Sequence, residues 1–257
     1  MTMSIIEKAK RKMAQLEGNG IDIAWRPPEG ETKIRFLPDA DYPFLERHIH
    51  YRVNGKSFLC PRRNPDIGGE CPVCDYVSNL WEDNPKRESP MWKKAVDLGA
   101  KKRYYSRVLV RGHESFGAVW FNFNKTLYEQ LLKALIDEDM PGDFTDPVSG
   151  YDWKVTYVPR KGANYAKTTL TPMPQSICEA LPAKDLKKVM ANLPELEEVG
   201  IPIVQLDYEE IDEALRGAIG IGRSFSESKN DADAEKMSSS TDKTSDLQAK
   251  LDQFKNG

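Results

Sequence analysis

The chain has 257 residues, of which 39% are hydrophobic and 30% are charged, and its formal net charge is −3. This length and apolar content are enough for one large domain or two modest domains with a hydrophobic core. The small net charge excludes a simple polycation of the histone type. No apolar run reaches the length of a membrane span and the first residues form no apolar signal core, so we expect a cytoplasmic protein with no membrane contact.

Residues 3–17 are predicted to form a short amphipathic helix, because their apolar residues recur at helical spacing. Residues 18–20, Gly-Asn-Gly, then end the helix and separate residues 1–20 from the rest of the chain. The segment has two interpretations, a solvated helix face or an arm that docks on a neighbouring molecule or on phosphates. Its cations form one cluster, namely Lys8, Lys10, Arg11 and Lys12.

From residue 21 the pattern becomes that of strands. Residues 33–38 and 44–53 alternate apolar and polar side chains and end at turn residues. The Asn-Gly pair at 54–55 is typical of a tight hairpin turn, which would bring Cys60 back beside the second strand. Three phenylalanines in this region are predicted core residues, namely Phe36, Phe44 and Phe58.

Three of the four cysteines lie close together around and after this hairpin, at Cys60, Cys71 and Cys74. The Cys-Pro-Val-Cys knuckle at 71–74 places two thiolates on one turn, and Cys60 with one imidazole completes the Cys3His set that a structural Zn²⁺ prefers. Four protein ligands leave no open position for water, so we expect one structural Zn²⁺ and no chemistry at the metal. A redox pair is disfavoured because no βαβ unit surrounds Cys71, and a disulfide framework because cysteines are few.

Two histidines are candidates for the nitrogen ligand. His48 and His50 are two residues apart in a predicted strand, so both point to the same face and both can approach the metal. We favour His50, because it is closer to the hairpin turn that returns Cys60, and we keep His48 as the alternative. The fourth cysteine, Cys178, is predicted to be a small buried residue.

A cationic, aromatic region follows the cysteines. Residues 86–111 contain nine basic residues and two acidic ones, a local excess of +7 that is typical of a surface for a polyanion. Cations can track phosphates, and flat rings can stack on unpaired bases at about 1–3 kcal/mol per base whatever the sequence. The alternation of such residues on predicted strands indicates a single-stranded DNA site, with these candidates: Lys101, Lys102, Arg103, Tyr104, Tyr105, Arg107, Trp120, Lys125, Tyr157, Lys161 and Tyr165.

Some rings in this region are expected to be buried instead. Trp153 is predicted to lie in the core. Phe121 lies on the opposite face of its predicted strand from Trp120, so we expect one of these two rings in the core and the other exposed. Tyr104 and Tyr105, beside three cations, are the favoured stacking rings.

Three helices are predicted in the second half of the chain, over residues 125–136, 182–190 and 208–219. From about residue 224 the composition changes to Ser, Asp, Lys and Glu, so residues 224–257 are predicted to form a flexible tail. Residues 226–257 hold seven acidic residues and five lysines, which makes the tail only mildly acidic.

The sequence has two other functional interpretations. A zinc-stapled adaptor in a replication complex would use the basic region to bind an acidic protein partner. A zinc nuclease or deaminase is disfavoured, because no Glu stands two residues after His48 or His50 and no carboxylate cluster suggests a two-metal site. We therefore predict that the chain is not an enzyme.

The chain resembles the gene-32-type single-stranded-DNA-binding proteins of T-even and related phages, from its N-terminus to about residue 222. The similarity is densest in the motifs IRFLP at 34–38, NGK at 54–56, CPVCDY at 71–76, KKRYY at 101–105 and FNK at 123–125. The family's C-terminal tail is more acidic than this one, and its spacing from the histidine ligand to the first cysteine is longer than that from His50 to Cys60.

The resemblance implies an α+β, mainly β fold, with an OB-fold-like barrel core, an inserted zinc-binding subdomain and flanking helices. It implies three segments: an arm at 1–20, a DNA-binding core at 21–223 with the zinc subdomain at about 44–98, and a tail at 224–257. A cleft between barrel and subdomain would hold the strand, with Tyr104 and Tyr105 among its rings and residues 101–103 at its cationic edge.

The resemblance also implies partners and a location. The cationic cluster of the arm, Lys8 to Lys12, would mediate cooperative contacts between copies on DNA. A phage polymerase, helicase loader or recombinase would be a candidate partner of the tail. The protein would act in phage replication, recombination and repair, in the cytoplasm of an infected bacterial host.

Overall fold

The computed structural model describes Ala9, Met13 and residues 22–39, 42–83, 85–162, 165–200 and 202–220. The predicted arm at 1–20, apart from two exposed residues in helical conformation, and the predicted tail at 224–257 therefore lie outside the described residues.

Within the described residues the chain forms eight strands and five α-helices. The strands are β1 (Ala24–Trp25), β2 (Gly30–Phe36), β3 (Leu45–Val53), β4 (Lys56–Leu59), β5 (Lys101–Val110), β6 (Val119–Phe123), β7 (Tyr151–Val158) and β8 (Lys167–Ile177). The helices are α1 (Pro72–Glu82), α2 (Pro90–Leu98), α3 (Lys125–Ile136), α4 (Ala183–Ala191) and α5 (Tyr208–Ile219). The predicted α+β class, mainly β, is confirmed.

The strands form one mixed sheet in the order β1-β6-β5-β2-β7-β8, with β3 paired to β5 and to β4. The β1–β6 pair is parallel, whereas β5 is antiparallel to each of its partners. These pairings form an open path among the described strands, so closure into an OB-type barrel stays a prediction.

Strand β5 has three partners because its two halves pair differently along one edge. Its first half, residues 101–105, pairs with β3, and its last three residues, 108–110, pair with β2. Its other edge pairs with β6 over residues 104–108. The cationic start of β5 and its apolar end therefore belong to one continuous strand.

Both faces of the sheet around β5 are covered. On one face a cluster of aromatic and branched side chains includes Phe36, Tyr104 and Trp153. On the other face Leu109 and Ala118 pack with residues of α4 and the segment after it. Because side chains alternate between the two faces of a strand, few positions in the middle of β5 and β6 can reach solvent.

The predicted core residues are buried as expected. Phe36, Phe58 and Trp153 are fully buried, and Phe44 is nearly so. The expectation for Trp120 and Phe121 is wrong, since both rings are buried, one against each covered face.

The prediction for Cys178 is also wrong, because this thiol is exposed. Its Sγ lies 3.6 Å from Nη2 of Arg35 and 3.6 Å from Nη2 of Arg111. The same Arg111 binds Asp152 through two hydrogen bonds of 2.9 and 2.8 Å. The surrounding charges, which the local sequence does not reveal, explain why a polar, partly solvated position suits this cysteine.

By their contacts the residues divide into two compact units. Unit 1 comprises Met1–His50, Ser57–Gly68 and Ala100–Gln205, and unit 2 comprises Tyr51–Lys56, Gly69–Gly99 and Leu206–Gly257. Unit 1 holds most of the sheet together with α3 and α4. The predicted zinc subdomain, at about 44–98, stays a prediction about domain organisation.

Unit 2 contains α1, α2 and α5. Residues at the N-terminus of each helix explain where that helix begins. Pro72 follows Cys71 and is the first residue of α1. A backbone N–H at this position would have no partner within the helix, so proline, which lacks that N–H, costs no hydrogen bond here. The Ser89 side chain accepts a hydrogen bond from the backbone N–H of Trp92 at the start of α2. Asp207 and Glu210 form a capping box at the start of α5.

The hairpin turn predicted between β3 and β4 is present. Asn54 and Gly55 have φ angles of +49° and +80°, which a two-residue turn of this kind requires. Helix α5 approaches this turn closely, since a Cβ on Gly217 would lie 2.1 Å from Nδ2 of Asn54.

In the part of the chain that the structure describes, no helix has both the length and the apolar character needed to cross a membrane.

The fully buried Tyr151 generates a prediction about alkaline stability. Burial, with the nearby Asp137 and Asp143, raises the pKa of Tyr151 to about 12. Because this pKa is above the unfolded value of about 10, the neutral tyrosine favours the folded state below pH 10. This contribution to the free energy of unfolding is lost as the pH rises from 10 to 12, by no more than about 1.4 kcal/mol for each pH unit. The Tyr151→Phe variant should therefore lose less stability over that interval than the parent chain.

The measurement is urea unfolding at pH 8, 10 and 11. Near pH 8 the variant should be at least as stable as the parent, because the buried Tyr151 hydroxyl has no hydrogen-bond partner among the described residues and its removal breaks no bond. Tyr165→Phe, which removes an exposed hydroxyl, is the matched control. Equal alkaline losses in all three proteins would contradict the prediction.

Candidate functional site

The four predicted metal ligands lie together. His50 belongs to β3, Cys60 follows β4, Cys71 precedes α1 and Cys74 lies in its first turn. All four are buried, and one ligand atom from each lies within 4.8 Å of the others. The structure therefore brings together His50, rather than His48, with the three cysteines.

Asn64 holds two parts of this cluster in register, a role that sequence reasoning missed. Its Nδ2 donates hydrogen bonds to the backbone oxygens of His48, at 2.8 Å, and Cys60, at 2.9 Å. Its Oδ1 accepts from the backbone N–H of His48 at 3.0 Å. The backbone N–H of Cys60 also donates to the His48 oxygen, at 2.9 Å. The signal available in the sequence is an asparagine four residues after a ligand cysteine.

His48 is not part of the metal-ligand cluster and lies near a cation. Burial, followed by the nearby Lys102, lowers the pKa of His48. His50 is fully buried, with its ring 5.3 Å from that of Phe58. The cluster can hold a metal ion, since three thiols and one imidazole form a complete tetrahedral donor set. Its closed, buried arrangement fits a structural ion better than a catalytic one, which needs an open position.

Three of the predicted DNA-binding cations are exposed, and each contacts a carboxylate. The Nζ of Lys102 lies 2.6 Å from Glu46, that of Lys125 lies 3.4 Å from Glu129, and that of Lys161 lies 3.4 Å from Glu29. Exposed pairs of this kind contribute little, about 0–1 kcal/mol. A phosphate can therefore replace the carboxylate at small cost. Lys101 and Arg103 lie on the same strand as Lys102 and are half-buried.

Arg107 and Trp120 pack on the face of the sheet that is covered by α4 and the segment after it. The Arg107 guanidinium lies 4.6 Å from the Trp120 ring centroid, and both side chains donate to the backbone oxygen of Pro194 at 3.1 Å. Arg107 also binds Asp39 at 2.7 Å. These contacts occupy the groups that the sequence predicts to contact DNA, so we do not propose Arg107 or Trp120 as DNA contacts.

The two favoured stacking rings are buried, Tyr104 being 4% exposed and Tyr105 1% exposed. Tyr128 of α3 covers Tyr104, with ring centroids 3.9 Å apart and planes inclined by 15°. A buried ring cannot stack on a base unless the sheet rearranges, so we do not propose either tyrosine as a stacking platform. Tyr128, which sequence reasoning did not select, is the outer ring of this stack.

The hairpin of β7 and β8 carries the most exposed of the predicted rings. Tyr165 is 87% exposed, and the Arg160 guanidinium lies 5.9 Å from its ring centroid. Lys161 is exposed in the same connection, and Tyr157 of β7 is half-buried. These positions remain available for DNA. The predicted self-association residues, Lys8, Lys10, Arg11 and Lys12, lie outside the described residues.

Comparison with known proteins agrees with the resemblance noted in the sequence. The model of the family described as gp32 DNA binding protein like matches residues 28–217, a range that includes all four metal-ligand candidates and strand β5. No curated protein matches the chain. The match covers well over half of the sequence, and the chain belongs to this family.

Proposed function

We propose that this member of the gp32-like family is a sequence-independent, cooperative single-stranded DNA-binding protein of phage replication, recombination and repair, acting in the cytoplasm of an infected bacterial host. The family match over residues 28–217 is the observation that carries the proposal. The family is one of DNA-binding proteins and not of enzymes, and we propose no catalytic activity for this chain.

The exposed cations of unit 1 support this function. Lys102, Lys125 and Lys161 present ammonium groups to solvent, and Tyr165 presents an open ring beside Arg160. Cations that neutralise phosphates release condensed counterions, which provides affinity without reading the sequence. Exposed rings add stacking that any base can satisfy. In this proposal DNA is held in a basic, aromatic cleft to which these residues contribute.

The metal centre has a structural role in the proposal. We assign one Zn²⁺ to His50, Cys60, Cys71 and Cys74, because this buried Cys3His set is the one that structural zinc prefers. When bound, the ion would add folding free energy, since the unfolded chain cannot present the four ligands together.

We assign cooperative DNA binding and the recruitment of replication proteins to the two terminal segments. We assign contacts between neighbouring copies on DNA to the arm, through Lys8, Lys10, Arg11 and Lys12. The tail is the proposed contact for a phage polymerase, helicase loader or recombinase. A zinc-stapled adaptor that binds only proteins is the competing function, and it predicts no affinity for single strands.

The first test is a titration of labelled oligo-dT and of duplex DNA at two salt concentrations. The chain should bind oligo-dT more tightly than duplex, and log affinity should fall with log salt by about 0.7 for each phosphate contacted. Equal competition by duplex, or an affinity independent of salt, would contradict single-strand binding and favour the adaptor.

Neutralising Glu46 should increase DNA affinity. The Glu46→Gln variant removes the carboxylate that lies 2.6 Å from Lys102, so the ammonium group becomes available to phosphate. We expect a rise in affinity of about 1.4- to 5-fold at low salt, from the ~0.2–1 kcal/mol of an exposed ion pair. Glu213→Gln, which removes the same charge from an exposed pair with Lys56 in unit 2, is the control. Equal gains in both variants would indicate a general effect of net charge.

Removing one zinc ligand should destabilise the fold. The Cys74→Ser variant should release the metal and lower the melting temperature, because a hydroxyl is a poor ligand for zinc. Metal content by mass spectrometry and melting by circular dichroism provide the measurement. Cys178→Ser, outside the cluster and exposed, should retain the metal. A Cys74→Ser protein with full metal content would refute the assignment.

A further inference from the structure

A stack of aromatic rings leads from the core of unit 1 to its surface. The ring planes of Phe123 and Tyr104 are inclined by 17°, and those of Tyr104 and Tyr128 by 15°. Phe123 and Tyr104 are buried, whereas Tyr128 is half-buried. Nearly parallel rings therefore continue outward from the sheet and end at α3.

The start of α3 determines where the outer ring lies. The Asn124 side chain accepts a hydrogen bond from the backbone N–H of Leu127 at 3.1 Å, and its backbone oxygen accepts from Tyr128 at 3.1 Å. Leu127 and Leu131 are buried in the core beneath the helix. The Tyr128 ring is thus positioned by a capped helix on a packed core rather than by a loop.

Tyr42 extends this aromatic assembly to solvent. Its hydroxyl lies 2.9 Å from that of Tyr128, and its ring meets Phe44 edge-on, with centroids 5.4 Å apart. Even so, Tyr42 is 44% exposed. A large ring that is held at its edge and at its hydroxyl, but left open over much of its surface, is suited to contact a planar ligand.

Two of the exposed cations lie beside this assembly. Lys102 lies two residues before Tyr104 on β5, so these two side chains share a face of the sheet. Lys125 lies three residues before Tyr128 on α3, so these two side chains are neighbours on the surface of the helix. The carboxylate partners of the two lysines, Glu46 and Glu129, are themselves exposed, so both ion pairs can be exchanged for phosphates.

We propose that Tyr42 and Tyr128 form a subsite for one unpaired nucleobase, with Lys102 and Lys125 contacting the phosphates on either side of that base. This inference rests on the proposed single-stranded DNA binding and assigns part of it to two residues that the sequence did not indicate. A base inside a duplex is stacked on both faces and paired at its edge, so only an unpaired base can occupy the subsite.

The two hydroxyls add a polar contact to the stacking. One hydrogen links the two oxygens, so the second remains to be donated to a base carbonyl, a ring nitrogen or a phosphate oxygen. Burial and the hydrogen bond to Tyr42 raise the pKa of Tyr128 well above its ordinary value. The Tyr128 phenol therefore remains a donor at neutral pH.

The test compares Tyr42→Ala with Tyr208→Ala in the full chain. Tyr208 is also 44% exposed but lies on α5 in unit 2, so it controls for the loss of an exposed ring. Affinity for a fluorescein-labelled 10-nucleotide oligo-dT would be measured by anisotropy at two salt concentrations. Tyr42→Ala should weaken binding by about 5- to 150-fold, as expected for one lost stacking contact. Its salt dependence should match that of the parent, because no cation is removed.

Cross-linking gives an independent measurement. Oligo-dT that contains 5-iododeoxyuridine is irradiated with the parent chain, and modified peptides are identified by mass spectrometry. Adducts on Tyr42 or Tyr128 support the subsite.

The outcomes separate this inference from the proposed function. If the parent binds oligo-dT but Tyr42→Ala behaves like Tyr208→Ala and no adduct forms on either tyrosine, the subsite is refuted and DNA binding stands. If the parent does not bind oligo-dT at all, both are refuted. Melting curves for each variant show whether a weakened affinity reflects loss of the fold, and Tyr42→Phe, which keeps the ring, should retain most of the affinity.

Discussion

Strand β5 is the constraint on which the rest of unit 1 depends, because it pairs with β3 and β2 along one edge and with β6 along the other. A strand with both edges paired and both faces covered has little freedom to move. Its buried end forms the centre of the core, while its cationic start, at residues 101–103, emerges toward solvent. One strand therefore joins the buried core of the unit to the part that we propose contacts DNA.

Burial on both faces of β5 decides which aromatic residues are available to a ligand. The sheet uses Tyr104, Tyr105 and Trp120 for packing, and Arg107 binds Asp39 and the segment at Pro194. Among the described residues of unit 1, exposed or half-buried rings outside the middle of the sheet include Tyr165 and Tyr157 in the β7–β8 hairpin, Tyr128 on α3 and Tyr42. A rigid sheet that presents rings from its margins suits a ligand whose bases must be accepted in any order.

The exposed cations are partly neutralised by their own chain. Lys102, Lys125 and Lys161 each face a glutamate, which keeps the protein close to charge balance in spite of its local basic excess. Such pairs are weak in water and easily exchanged, so in the proposed function they would lower the affinity for polyanions without abolishing it. The proposed DNA affinity and its salt dependence would then reflect an exchange of carboxylate for phosphate as well as counterion release.

The sequence by itself determined the features that depend on short spacings. Three such features are found where the sequence predicted them: the Cys-Pro-Val-Cys knuckle, the Asn-Gly turn and the apolar period of α3. The geometry of each is determined by residues that are close together in the chain. The motifs that carry the family resemblance are also short, contiguous stretches of the sequence. Only the tertiary structure decided which side chains are buried, because alternation along a strand shows which residues share a face but not what covers that face. The burial of Tyr104 under Tyr128, the role of Asn64 and the pairing of Tyr42 with Tyr128 all join residues distant in the chain, and the hydrophobic free energy that selects such contacts is a property of the packed core.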